Sequence, residues 1–246
     1  PLASWESSGD EPFMMAKKTR NIPIVVDSNR YRGGKFLHKY FNTEIIILDD
    51  GFQHRSLYRD LNIVLINGDS SLSDYNFLPY GLRREPWSSL KRADTILFTK
   101  REPREFLYDK VKHHDIPYIQ SHIKSFISFN SIASNKITKK LKGERVVLIS
   151  GIGDPKSFEK TIKNYNCVVK GHEVFQDHYS YNKKDISRIV DFTKKKNVDY
   201  IITTEKDWVK IDPLKPNFPF IIIKIEIEVI DKNSINKLLK GYFKNN

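Results

Sequence analysis

The chain is poor in cysteine, with Cys167 alone among 246 residues. That count excludes an intrachain disulfide and any Cys-rich zinc site, and it fits a reducing compartment. Cys167 itself reads as a small buried hydrophobe. Long apolar runs are also missing. None approaches the ~20 residues of a membrane-spanning helix, and no signal-peptide pattern is visible. A phosphate-cradling Gly-x-x-x-x-Gly-Lys-[Ser/Thr] loop is absent as well. Two glycine stretches come near it and fail. Arg32-Gly33-Gly34-Lys35-Phe36 lacks the upstream glycine and has Phe where a hydroxyl should hold Mg²⁺. Gly151-Ile152-Gly153-Asp154-Pro155-Lys156-Ser157 puts a carboxylate where phosphate would sit, and Pro155 has no amide to donate. This second stretch reads as a tight turn into a helix capped by Asp154, with Pro155 in the first helical position.

Apolar residues make up 39% of the chain and aromatics 12%, enough for a globular core. Lys and Arg outnumber Asp and Glu by 42 to 30, a formal charge of +12. An excess of that sign favours an anionic partner: nucleic acid, a phosphorylated substrate or an acidic membrane surface. The basic residues are scattered, and no RNA-binding aromatic motif accompanies them, so nucleic acid is not expected. The first residues, Pro1 to Gly9, read like the middle of a protein, and further residues upstream are expected.

The stretch that organises the pattern is Glu44-Ile45-Ile46-Ile47-Leu48-Asp49-Asp50-Gly51-Phe52-Gln53-His54. Four consecutive apolar residues predict a strand buried on both faces, as in a parallel sheet. Ligands of such sheets bind beyond the carboxyl ends of the strands, which is where Asp49 and Asp50 fall. Either they hold a metal ion or they merely end the strand and cap the next turn. Further strands are predicted over residues 22–27, 61–67, 94–99, 116–120, 145–149, 167–170, 200–203 and 220–227. Helices are predicted over 13–20, 33–41, 104–113, 155–165, 183–196 and 231–243. Alternation of this kind marks doubly wound α/β structure. Composition changes over residues 121–143, where apolar residues mix with Ser, Asn and Lys without helical period. We therefore expect an α/β domain over 1–120, a β linker over 121–144 and a second α/β domain over 145–246.

Several polar clusters compete with bland accounts. Gln53-His54-Arg55 comes directly after the Asp-Asp-Gly-Phe run and could be a surface turn. Arg83-Arg84-Glu85-Pro86-Trp87 joins two guanidinium groups, suited to phosphate, with a carboxylate suited to Mg²⁺; a solvated salt-bridge loop is the alternative. Asp177-His178 is either an acid/base pair or a helix-start loop. Thr204-Glu205-Lys206-Asp207 ends a buried strand, where Glu205 and Lys206 are cofactor-site candidates and helix capping is the competing account.

Taken in order, Gly9-Asp10-Glu11-Pro12, Asp49-Asp50-Gly51-Phe52-Gln53-His54, Leu82-Arg83-Arg84-Glu85-Pro86, Phe175-Gln176-Asp177-His178-Tyr179 and Thr203-Thr204-Glu205-Lys206-Asp207 resemble the tetraacyldisaccharide 4'-kinases of lipid A synthesis. The resemblance covers essentially the whole chain. It departs at Arg83, where the family usually has Leu, at Tyr179, where it has a second His, and in the absent phosphate loop. The resemblance implies two Rossmann-like or P-loop-type α/β domains with mainly parallel sheets, joined by a β linker. It implies transfer of the γ-phosphate of ATP to the 4'-hydroxyl of a phosphorylated, acylated disaccharide lipid, by a monomer peripheral to the cytoplasmic face of the bacterial inner membrane. Asp10 would then accept the hydroxyl proton with His178 as its partner, the two coming from different domains that close on each other. Asp49, Asp50 and Glu85 would hold Mg²⁺, Arg84 would face phosphate, and Gln53 and His54 would line the cleft. The rival is a kinase-derived domain that binds a nucleotide or polyanion without catalysing.

Without a phosphate loop, residues 1–246 alone are expected to bind Mg·ATP weakly and to show no turnover. Calorimetry checks this, and a micromolar affinity for that polypeptide would overturn it.

Overall fold

The computed structural model describes residues 3–19, 21–130 and 141–243. Its helices are α1 (Trp5–Ser8), α2 (Asp10–Lys18), α3 (Arg30–Phe41), α4 (Glu105–Lys112), α5 (Pro155–Lys163), α6 (Lys183–Lys195), α7 (Glu205–Ile211) and α8 (Lys232–Phe243). Its strands are β1 (Ile63–Asn67), β2 (Thr95–Thr99), β3 (Tyr118–Asn130), β4 (Arg145–Ser150), β5 (Val168–Val174), β6 (Tyr200–Thr204) and β7 (Phe220–Val229). Contacts divide the chain into two compact units, one of Pro1–Glu44 with Ser125–Lys224 and the other of Ile45–Lys124 with Ile225–Asn246. Composition suggested cuts at 120 and 144 instead; the contact division falls within β3 and β7, each of which runs from one unit into the other. Part of the expected linker, residues 131–140, lies outside the described residues.

In the first unit β5, β4, β6 and β7 lie side by side, all parallel. Residues 146–149 of β4, 200–202 of β6 and 220–223 of β7 are apolar runs because both faces are covered. Val146, Leu148, Tyr200, Ile202, Ile221 and Ile223 pack on Phe158 and Ile162 of α5. The alternate residues Ile149, Ile201, Phe220 and Ile222 pack on Ile186, Ile189 and Val190 of α6 and Trp208 and Ile211 of α7. The chain enters at β4, places β5 on one side and then crosses to place β6 on the other. The carboxyl ends of β4 and β6 thus flank a topological switch point, the usual ligand crevice of open α/β sheets.

In the second unit β1, β2 and the start of β3 are parallel. Ile66, Ile96 and Phe98 pack against Leu90 and against Leu107 and Val111 of α4. Helix α8 begins where expected, with Asp231 accepting from the backbone N–H groups of Asn233 and Ser234, both at 3.0 Å. Among the described residues, no helix is long and apolar enough to cross a membrane.

The α/β architecture with mainly parallel sheets is as expected, but its supposed centre is not. Residues 44–48 form no strand, and Ile47 is 91% exposed. Residues 22–27 likewise form none. An apolar run favours a buried strand only if another strand offers it a ladder, and no described strand pairs with either segment. The later part of β7 also departs from expectation. Lys224, Glu226 and Glu228 alternate with Ile225, Ile227 and Val229, a pattern that predicts one face toward water, yet Ile225, Glu226 and Ile227 are all exposed.

Leu107 is fully buried on α4 and closes the second unit's core. Leu107→Ala should destabilise the protein by about 2–5 kcal/mol. A lower urea midpoint at unchanged m-value checks it.

Candidate active site

The first unit gathers a cluster of ionisable groups at the carboxyl end of its sheet. Helix α2 supplies the central one. Gly9 caps the helix at φ +90°, a conformation natural to glycine, and so lets the chain turn directly into Asp10. Pro12 sits inside the first turn, where it forfeits no helical hydrogen bond. Asp10 is the first helical residue, where the helix dipole favours a carboxylate, and it is only 7% exposed.

His178 reaches Asp10 from the loop after β5. Its backbone is left-handed, at φ +60°, and is held by hydrogen bonds from His178 N–H to Gly151 O (3.2 Å) and to Asp177 Oδ1 (2.9 Å). The imidazole Nδ1 lies 3.0 and 3.1 Å from the two Asp10 oxygens. Its Nε2 lies 3.2 Å from Lys206 Nζ. An ammonium can only donate, so Nε2 accepts and the proton sits on Nδ1, directed at Asp10. The other donors of Lys206 are taken by Glu11 Oε1 (2.9 Å) and Asp177 Oδ1 (3.2 Å). Burial would pull the Lys206 pKa down, but Glu11, Asp177 and Asp10 outweigh it and hold the value above the ordinary one.

Behind Asp10 lies Lys210, one helical turn beyond Lys206 on α7, with Nζ 3.2 Å from Asp10 Oδ2. Burial of Asp10 would push its pKa up; Lys210 first, then Lys206 and His178, outweigh that and hold the carboxyl below its ordinary 3.8. Asp207, fully buried, accepts from Gly151 N–H (3.1 Å to each oxygen), the Tyr181 hydroxyl (3.1 Å) and the Thr204 hydroxyl (2.7 Å). Burial, and then that carboxylate, drive the Tyr181 hydroxyl far above the ordinary phenol range, so it stays a donor. A Cβ at Gly151 would sit 3.0 Å from Asp207 Oδ1 and 3.1 Å from the Tyr181 hydroxyl, which is why the turn after β4 starts with glycine. The rest of that turn is as expected, with Asp154 accepting from Ser157 N–H and Pro155 opening α5.

The second unit assembles another set. Arg84 Nη1 donates to Asp50 Oδ2 (3.0 Å) and Gln53 Oε1 (3.3 Å). Glu85 accepts from Arg92 (2.7 Å) and pairs with Arg55 (3.5 Å), while the Arg92 guanidinium covers the Phe52 ring at 4.4 Å. Burial would raise the Glu85 pKa; Arg92 and then Ser89 and Arg55 hold it below the ordinary value. His54 is fixed through its carbonyl, which accepts from Arg59. Among the described residues no three His, Cys, Asp or Glu side chains are grouped as a metal-ligand set.

The chain matches a known family along its length. The family model described as tetraacyldisaccharide-1-P 4'-kinase matches residues 2–244. The chain belongs to the tetraacyldisaccharide 4'-kinase family. It is 33% identical to the tetraacyldisaccharide 4'-kinase of Halothermothrix orenii, over 98% of this chain and 69% of that protein. It is 36% identical to the Aquifex aeolicus tetraacyldisaccharide 4'-kinase, over 98% and 70%. A crystal structure of the A. aeolicus enzyme, described as an "apo" form in complex with ATP, superposes with a TM-score of 0.68 at 32% identity, over 97% of this chain and 70% of that one. The chain thus spans about 70% of the length of these kinases.

Within this kinase fold, the motifs singled out in the sequence fall into two groups. Asp10, His178, Glu205 and Lys206 belong to the first unit; Asp49, Asp50, Gln53, His54, Arg84 and Glu85 belong to the second. Asp10 and His178 meet inside one unit, so their contact needs no domain closure. Glu205 pairs with Lys18 at 2.5 Å. Arg32-Gly33-Gly34-Lys35 is the interior of α3, with Asn29 as its cap. Lys210 is not among the residues expected from sequence. Its signal is a lysine set among Trp208, Val209 and Ile211, four residues after Lys206, and it becomes legible once residues 205–211 are taken as a helix.

A native Asp10 pKa below 3.8 stabilises the fold above that pH, and the contribution is lost as the pH falls through the lower native value. Asp10→Asn should flatten the acid side of a Tm-against-pH curve below about pH 4. Calorimetric scans of both proteins check the slope.

Proposed function

We propose that this chain carries out the proton-transfer part of an ATP-dependent phosphorylation, in which the 4'-hydroxyl of a tetraacyldisaccharide 1-phosphate receives the γ-phosphate. The observation that supports it is the contact between Asp10 and His178, 168 residues apart in sequence, in a kinase family. Asp10 takes the proton of the 4'-hydroxyl as its oxygen forms a bond to the γ-phosphorus. The bond from that phosphorus to the β–γ bridging oxygen breaks, and ADP leaves. His178 donates from Nδ1 to Asp10 and aims the carboxylate; Lys206 keeps the imidazole in that tautomer. Phosphoryl transfer needs mainly positioning and charge stabilisation, and both are within the means of this set.

Arg84, Gln53 and His54 are proposed to contact the nucleotide phosphates, and Glu205 and Lys206 to border the nucleotide. Hard carboxylate oxygens suit Mg²⁺, which takes one or two of them with water and phosphate. Asp49, Asp50 and Glu85 would hold it, in competition with the arginines that Asp50 and Glu85 meet in this structure. When bound, Mg²⁺ supplies charge neutralisation to the transferring phosphate. The net charge of +12 supports a peripheral position on an acidic membrane surface, which we assign to the cytoplasmic face of the inner membrane, and a monomer suffices for the chemistry.

Groups that act as a unit lose their effect together. In the complete kinase, Asp10→Ala, His178→Ala and the double variant should each lower kcat by a similar factor, on the order of 10²–10⁴, with the KM for ATP little changed. Steady-state kinetics decides; factors that multiply in the double variant would show two independent residues.

A further inference from the structure

Lys210 carries a charge that folding alone does not ask for. Its side chain is 1% exposed, on a helix whose neighbouring residues Trp208, Val209 and Ile211 are buried and apolar. Burying an ammonium costs free energy, and a well-packed apolar side chain of similar volume is often as stable or more so. The nearby Asp207 does not need it. That carboxylate already accepts from Gly151, Tyr181 and Thr204, and its separation from Lys210 Nζ is 3.7 Å against 3.2 Å for Asp10. The ammonium therefore has Asp10 as its nearer partner and Asp207 as a fixed counter-charge behind it. The Tyr181 ring lies alongside at 5.8 Å.

We propose that Lys210, anchored by Asp207, is a positioning residue that keeps Asp10 ionised and turned toward the reacting hydroxyl. This rests on the reading of Asp10 as the proton acceptor. The arrangement divides the Asp10 carboxylate. Lys210 takes Oδ2, His178 Nδ1 spans both oxygens and Glu11 N–H donates to Oδ1 at 3.0 Å. Held in this way the carboxylate cannot rotate freely, and it stays a base although it is buried. Lys206 and Lys210, one turn apart on α7, thereby serve the two members of the pair: Lys206 the imidazole and Lys210 the carboxylate.

The test is the pH dependence of kcat/KM in the complete kinase carrying Lys210→Met, with melting curves as a control for folding. The charged and titratable groups acting on Asp10 are His178 after β5 and Lys206 and Lys210 on α7; Glu11 on α2 and Asp177 after β5 pair with Lys206, and Asp207 pairs with Lys210, with Tyr181 facing the last two. Only Lys210 changes, so the acid limb should move to higher pH by about 1–3, the effect of removing an adjacent cation from a carboxylate. Activity lost on the acid side should then recover in part as the pH is raised above the displaced limb. A uniform loss with the limb unmoved, or a wild-type profile, would overturn the proposal. If Asp10→Ala is inactive while Lys210→Met keeps the wild-type limb, Lys210 alone is misassigned. If Asp10→Ala turns over normally, the proton-acceptor reading fails and this proposal with it. Should Lys210→Met not fold, the double variant Asp10→Asn/Lys210→Met replaces it. Recovery of folding when both charges are removed supports the pairing, and no recovery refutes it.

Discussion

A carboxylate buried at a helix start has to be offset by opposite charge, and this need shapes the first unit. Asp10 is buried where an unpaired charge would simply take up a proton. Two lysines and an imidazole prevent that, and each comes from an element at the carboxyl end of the sheet. The lysines in turn need their own counter-charges, which Glu11, Asp177 and Asp207 supply. A network of this kind tolerates little partial change, because each unsatisfied member costs more than the bond it loses.

The sheet explains why these elements meet. In a doubly wound sheet the loops leaving adjacent strands part to opposite faces at the switch point and leave room between them. Here the turn after β4 brings Gly151, and the helix after β6 brings Asp207, and the first donates its amide to the second. The loop after β5 folds back onto this pair, with Phe175 N–H donating to Ser150 O and His178 N–H to Gly151 O. The polar site thus rests on backbone that the apolar strands fix, which is how a strained φ at His178 is maintained.

The second unit handles charge differently. Its acidic residues are wrapped by arginines: Asp50 by Arg84, and Glu85 by Arg92 and Arg55. Guanidinium groups stay charged and make several directed bonds at once, so they can hold a carboxylate and still present donors to a phosphate. Arg84 bridges Asp50 and Gln53 from an exposed position.

Much of this was legible in the amino-acid order. Continuous apolar runs bounded by turns located β2, β4, β6 and β7, because residues buried on both faces are seldom polar; the same kind of run located β1, although its Leu65 is exposed. Asp154 and Asp231 marked helix starts through chemistry that acts over three residues. The ordered motifs identified the kinase family and singled out Asp10 and His178. Folding alone decided the rest. Residues 44–48 look like a strand by every local measure and are not one, since a ladder depends on a neighbour that no local pattern specifies. That Asp10 and His178 touch within one unit, and that Lys210 turns inward to meet them, are matters of long-range packing. A lysine's sequence context does not say whether its charge faces water or a buried carboxylate 200 residues away; the packing of α2 on α7 does.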